Sequence, residues 1–161
     1  MTPEPVQAVF DCNIYAQGLI NLNGPAARCI QKARDGFVSL FVSPFVLAEI
    51  RELYEKLPAK YGITAADTDD LARNVVSFAT TIFDIPEVYR HPIDPDDSLY
   101  VNLALCASAR LIVSRDRHLL NLMDQSRREG QDFRGHFPAM RILDPVELLR
   151  ELDEQSAQEV N

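Results

Sequence analysis

Short β-branched and aromatic runs alternate along this chain with longer stretches that carry a helical apolar stripe, and that alternation restricts the fold most. Val6 to Phe10 (VQAVF), Phe37 to Val42 (FVSLFV), Leu111 to Ser114 (LIVS) and Met140 to Leu143 read as strands. Phe83 to Ile85 reads as a further short strand, cut by Pro86. Between them lie helix signals. Gly24-Pro25 opens a helix through Ala33, and Ser43-Pro44 supplies a cap and a first helical residue. Val46, Ile50, Leu53, Tyr54 and Leu57 then follow at helical spacing until Pro58. Thr64 to Thr80 reads as a helix capped by Thr64. The next runs from about Asp96 to Ala109, a short one ends near Met123, and the last spans Pro145 to Leu152 behind an Asp144 cap. Strand–helix alternation predicts an α/β fold, with a mainly parallel sheet covered on both faces.

The 96–109 helix is apolar on two sides. Leu99, Leu103 and Cys106 form one side; Val101, Ala104 and Leu105 form the other, so it is expected to be buried between layers. Residues 124–138 read as a polar loop. One domain is expected over 1–152, with a loose polar tail over 153–161. Hydrophobic residues make up 47% of the 161, which excludes a disordered or fibrous chain. The uncharged stretch from Gly36 to Ala48 is 13 residues long and contains Pro44, too short for a membrane span of ~20 residues. No basic residue precedes Arg28, so a secretory leader is not expected. Cys12, Cys29 and Cys106 are scattered among apolar residues and are expected as reduced core thiols. Together these features predict a soluble cytoplasmic protein.

The acids carry the chemistry. In an open parallel sheet, ligands sit beyond the carboxyl ends of the strands. Asp11 follows the first strand and Asp116 follows the LIVS strand by two residues. Glu49 lies on the helix after the second strand, and Asp97 opens the buried helix. All four carboxylates can converge at one sheet edge, with Asn13 and Ser114 adding neutral polar groups. Convergent carboxylates repel, and a hard divalent cation, Mg²⁺ or Mn²⁺, removes the conflict. Each acid alone is equally a helix cap or a solvated charge, and Asp94, Asp96 and Asp97 are all candidates for one cap. Asp11 is the sharpest of the four, because solvation explains a carboxylate directly after an apolar strand poorly.

The segments VFDCNIY, VSPFVLAEI, DPDDSLYVNLALCASARLIVSRD and MRILDPVELL, in this order and spacing, resemble the PIN-domain family over roughly residues 6–150. Within it the chain looks most like the PIN-family toxin components of toxin–antitoxin systems. The resemblance implies a three-layer α/β/α sandwich, a metal-dependent ribonuclease cutting single-stranded RNA, a homodimer and a cognate antitoxin. It places Asp11, Glu49, Asp97 and Asp116 as catalytic and Mg²⁺- or Mn²⁺-binding acids. Asn13, Ser114 and Asp96, the neighbour of Asp97, are supporting polar groups.

A net charge of −8 argues against nucleic-acid binding through global charge. Residues 110–141, however, hold seven arginines against four acids, a local surplus that starts beside Asp116. Arg115 and Arg117 are the candidate phosphate contacts. His91, His118 and His136 show no zinc spacing and are expected at the surface or in caps, with His118 a minor candidate for phosphate. Two other readings remain open from the residues: a phosphatase using Asp11 as nucleophile, and a non-catalytic module holding a structural ion. Asn13 stands where such phosphatases carry a second acid.

Overall fold

In the computed structural model, residues 3–160 are described. The ends of the expected domain and tail, residues 1–2 and 161, lie outside them. Five strands, β1 (Val6–Phe10), β2 (Val38–Val42), β3 (Thr80–Thr81), β4 (Leu111–Val113) and β5 (Arg141–Leu143), form one sheet in the order β3-β2-β1-β4-β5. Every pairing is parallel. The helices are α1 (Cys12–Ile20), α2 (Pro25–Arg34), α3 (Pro44–Arg51), α4 (Leu53–Lys56), α5 (Ala65–Phe78), α6 (Ser98–Cys106), α7 (Arg117–Leu120), α8 (Arg128–His136) and α9 (Pro145–Val160). The result is an α/β fold whose all-parallel sheet is flanked by helices, as the alternation predicts.

β1 is central because it can be buried on both faces: Ala8, Val9 and Phe10 are all fully enclosed. Its neighbours β2 and β4 bury Val38, Leu40, Val42, Leu111, Ile112 and Val113 in the same core. α6 lies against β1, β2 and β4. It buries Tyr100, Val101, Leu103 and Ala104, so truncating Leu103 to Ala would cost about 2–5 kcal/mol. All strands point the same way, so the residues that follow β1, β2 and β4 emerge along one edge.

Several local expectations fail, each for an identifiable reason. The third strand is Thr80–Thr81, beside Phe41 and Val42, instead of 83–85. Asp84 adopts φ 53°, which turns the chain away from the sheet and leaves Phe83 exposed. The helix after Ser43 breaks between α3 and α4 at Glu52. The residues after Asp11, to which the pattern assigns no element, form α1. Within the expected 124–138 loop lies α8. Gly130 lets α8 close on the preceding turn, because a Cβ there would meet the Asp124 carbonyl oxygen at 2.0 Å. α9 continues to Val160, so residues 153–160 are helical and not a loose tail. On α6, Leu99 and Cys106 are exposed, while Leu103 between them on the same side is fully buried. Cys29 is the one fully buried thiol; Cys12 is half-buried and Cys106 exposed, and all three are free. No helix among the described residues is long and apolar enough to cross a membrane.

Candidate metal centre

Asp11 ends β1 and caps α1, its carboxylate accepting the Asn13 N–H at 3.5 Å. Asp116 caps α7 in the same way, accepting the His118 N–H at 2.7 Å. Ser114 joins the two: its hydroxyl donates to Asp11 Oδ2 at 2.6 Å and accepts the Asp116 N–H at 2.9 Å. The Asp11 N–H bonds the Val113 carbonyl, so the β1–β4 ladder holds Asp11 beside Ser114, and the Ser114 hydroxyl carries the link on to Asp116. Capping and convergence are therefore not rival readings here. These two acids do both: they cap their helices and converge on the same edge.

Asp97 arrives from the other side, at the end of a tight 3₁₀ turn over Pro95–Asp97. The cap of that turn is Asp94, which accepts the Asp96 N–H at 3.1 Å. Asp97 is left free of capping, yet it is buried, and its Oδ2 has no hydrogen-bond partner. Burial, then the charges of Asp116, Asp94 and Asp11, push its carboxyl up to about 7. Asp11 rises to about 6, chiefly through burial, against the opposing hydrogen bonds from Ser114 and Asn13. Three of the four expected acids thus feel one another's charge. Glu49 stands to one side: it accepts the Tyr100 O–H at 2.6 Å, and the same Tyr100 oxygen accepts the Cys12 N–H at 3.2 Å. Burial and the Glu49 and Asp11 charges push the Cys12 thiol up to about 12, so it is a neutral wall of the site and not a nucleophile.

Two histidines that the spacing leaves without a site role belong to this edge. His118 Nδ1 lies 3.6 Å from Asp94 Oδ2, 3.8 Å from Asp97 Oδ2 and 3.9 Å from an Asp116 oxygen. Ligand atoms of Asp94, Asp97 and His118 all fall within 4.8 Å of one another, a group able to hold a metal ion. His91, expected at the surface, is buried. Its Nδ1 accepts the N–H groups of Ile93 and Asp94, both at 3.1 Å, and its Nε2 bonds the His118 carbonyl at 2.9 Å. The ring proton therefore sits on Nε2. His91 N–H also donates to Ser98 Oγ at 2.6 Å. His91 thus ties the turn before Asp97 to α7 through its imidazole and to α6 through its main-chain N–H. His136 remains exposed, as expected.

The supporting residues divide. Asn13 Oδ1 accepts the Arg115 N–H at 3.4 Å and links the loops after β1 and β4. Asp96 is exposed and turns away from Asp97 into a groove beside α6. The arginine-rich segment does not form a single patch. Arg115 and Arg117 are exposed next to Asp116. Arg110, Arg134 and Arg141 line a groove with Glu4 and Val6, at the opposite edge of the sheet. Arg141 is paired with Glu151, and Arg127 with Asp124 and Glu129.

The PIN domain family matches residues 7–118. The match begins in β1 and ends in α7, so it takes in Asp11, Glu49, Asp97, Asp116 and His118. No curated protein matches the chain. With well over half of its length matched, on a parallel α/β sheet that gathers acids at one edge, the chain belongs to the PIN-domain family.

Proposed function

We propose that this chain is an endoribonuclease that hydrolyses single-stranded RNA with Mg²⁺ or Mn²⁺, and acts in the cytoplasm as the toxin of a toxin–antitoxin pair. PIN domains are generally metal-dependent nucleases. The observation that carries the reading for this chain is Asp97 Oδ2, a buried oxygen with no donor, in the field of three further carboxylates. Such an oxygen is tolerated protonated or beside a cation, and is costly otherwise. The surrounding groups fit a hard divalent ion, being carboxylate oxygens with a single imidazole; that imidazole tilts the preference toward Mn²⁺.

Asp11, Asp97 and Asp116 would hold the ion, with Asp94 and His118 beside Asp97 and Glu49 acting directly or through water. When bound, such an ion supplies Lewis-acid polarisation of a phosphoryl oxygen and lowers the pKa of an attacking water. The protein's own part is positioning. Ser114 locks Asp11 against the loop of Asp116, Tyr100 holds Glu49, and His91 fixes the turn that brings Asp97 in. Arg115 and Arg117 put two cations beside Asp116 for the flanking phosphates, which an otherwise acidic surface would repel. The aspartyl-phosphatase reading finds no help at Asn13, whose side-chain carbonyl accepts the Arg115 N–H.

A melting curve with Mn²⁺ titrated to millimolar concentration, paired with cleavage of a short single-stranded RNA, tests the proposal. The expected result is a rising Tm and metal-dependent cleavage, both lost in Asp97→Asn. A rising Tm without cleavage would identify a structural ion in a binding module. No shift at all would remove the metal site. The toxin role adds an antitoxin and a second copy of the chain as partners. A short DNA-binding protein encoded next door would support it, and growth unaffected by expression of the active chain would count against it.

A further inference from the structure

We infer that the groove between α3, α6 and residues 82–97 is a nucleobase pocket, which takes one amino-bearing base, guanine best, from a single strand lying across the acids. The inference deepens the nuclease reading and rests on it. The groove has a volume of about 400 Å³, room for a nucleoside. One wall is Phe45, at the first turn of α3 and 37% exposed; another is Leu99 of α6, 40% exposed. An aromatic face left open in a concave site is a stacking platform for a base.

The position of the groove points to nucleic acid. The Phe45 ring packs edge-on against Tyr100, with centroids 6.4 Å apart, and Tyr100 holds Glu49. Leu99 is two residues from Asp97. A base stacked on Phe45 therefore belongs to a nucleotide whose phosphate reaches the acid edge.

Polarity then selects the base. The neutral polar side chains that line the groove are already engaged. Ser43 Oγ accepts the Val46 N–H, Ser98 Oγ accepts the His91 N–H, and Asn102 binds the backbone of Val88 and Tyr89. Three carboxylates remain, Asp84, Glu87 and Asp96, and none makes a hydrogen bond or ion pair with a described residue. Ionised carboxylates only accept. They exclude phosphate from the groove and favour an edge that donates. Guanine presents adjacent N1–H and N2–H₂ donors that match one carboxylate bidentately. Adenine and cytosine present one amino group. In uracil a single N–H lies between two carbonyl oxygens, which the acids repel.

Two fluorescein-labelled RNA hexamers serve as probes, oligouridine and the same chain with one central guanosine. Their binding to the full protein is followed by anisotropy in Ca²⁺, and their cleavage in Mn²⁺. The guanosine hexamer should bind roughly tenfold more tightly. Phe45→Ala should erase that difference and raise KM with little change in kcat, while Phe45→Tyr should keep it. Asp84→Asn/Glu87→Gln/Asp96→Asn should remove the preference for guanosine but retain binding. Equal affinity for both hexamers, failure to bind either, or a preference that survives Phe45→Ala would overturn the inference. So would a dimer that becomes monomeric in Phe45→Ala at unchanged RNA affinity, which would give the groove to a second copy. A guanosine preference without cleavage in Mn²⁺ would support the pocket and sink the nuclease reading instead.

Discussion

Asp11 directly follows β1 and Asp116 lies three residues past its paired neighbour β4, whereas Asp94 and Asp97 stand on a stretch from 82 to 97 with only one tight turn of regular structure. In the first pair, position follows from the backbone. The β1–β4 ladder places Asp11, the α7 cap places Asp116, and Ser114 links the two. In the second, position depends on buried side chains that bind the main chain: His91 holds the N–H groups of Ile93 and Asp94, and Asn102 holds Val88 and Tyr89. A strand end is thus a cheap place to fix the position of an acid. An irregular segment can present one equally well, but it needs polar groups buried in the core to do so, and each is a point of failure.

If both halves hold the same ion, breaking either should have the same chemical effect. Asp11→Asn, Asp97→Asn and Asp116→Asn should each reduce cleavage by more than roughly a hundredfold, the rate equivalent of about 3 kcal/mol of transition-state stabilisation. Single-turnover cleavage at saturating Mn²⁺ measures this. Without metal, Asp97→Asn should be at least as stable as the parent at pH 8, because it removes a buried charge without a partner. A strongly destabilised Asp97→Asn would mean that the carboxylate makes a structural contact.

The halves should differ when the support is removed. His91→Phe keeps an aromatic ring and deletes both ring nitrogens, stranding two N–H groups and the His118 carbonyl. A loss of about 2–4 kcal/mol is expected in urea denaturation, with a ten- to hundredfold fall in activity as Asp97 and His118 lose their alignment. Ser114→Ala should cost about 1–2 kcal/mol and less activity, since the ladder still places Asp11 and the α7 cap still places Asp116. Equal activity losses in the two variants would erase the distinction.

The same contrast explains what could be read without coordinates. Asp11 and Asp116 are legible because an acid at the end of an apolar strand advertises its place, and Glu49 because the α3 stripe fixes the face it flanks. The all-parallel sheet follows from the alternation of elements. What escapes is what long-range side-chain bonds decide. His91 precedes Asp97 by six residues and touches the site through the backbone of His118, 27 residues away, so no spacing reveals it. His118 joins the acids only because α7 folds back toward the Asp94 turn. The free Asp97 oxygen depends on which of three neighbouring acids takes the cap, and their spacing allows all three. Phe83 has the side chain of a strand residue, but the turn at Asp84 keeps it out of the sheet. α8 has so polar a sequence that its helix is visible only once Phe133 is seen to be buried.

A pH series can separate the two halves. Asp97 and Asp11 both have folded pKa values raised above the ordinary 3.8, to about 7 and about 6. The metal-free folded state therefore binds protons that the unfolded chain releases. Stability is fully present below about pH 4, falls as pH rises through 6 and 7, and levels off above. Asp97→Asn should remove the upper part of the fall and Asp11→Asn the lower. Saturating Mn²⁺ should reverse the trend, because an ion bound to the carboxylates favours their ionised forms. The readout is Tm from pH 4 to 8, with and without metal. A flat metal-free profile would show that the two acids are already compensated by water or by protein donors.

The smallest effect concerns how the two halves divide the substrate. The strand side carries Arg115 and Arg117 around Asp116; residues 82–97 carry five acids and one arginine, Arg90. On the proposed reading, phosphates lie on the first side and a base on the second. Neither Arg115 nor Arg117 has an ion-pair partner among the described residues, and both are exposed, so replacing them should leave stability within about 0.5 kcal/mol. Removing one arginine–phosphate pair should flatten the slope of log affinity against log salt by roughly 0.7 for a single strand. Arg115→Ala and Arg117→Ala should show that change with Mn²⁺ affinity unaltered. Arg127→Ala should show little, because that side chain is already paired with Asp124 and Glu129. Arg134→Ala should show none, because Arg134 lines the groove at the far edge of the sheet. Binding of a short RNA to the Asp11→Asn protein at several salt concentrations measures all four. A slope that responds to Arg134→Ala and not to Arg115→Ala or Arg117→Ala would move the path of the strand away from the acids. The acidic edge would then have to accept phosphate through its metal alone.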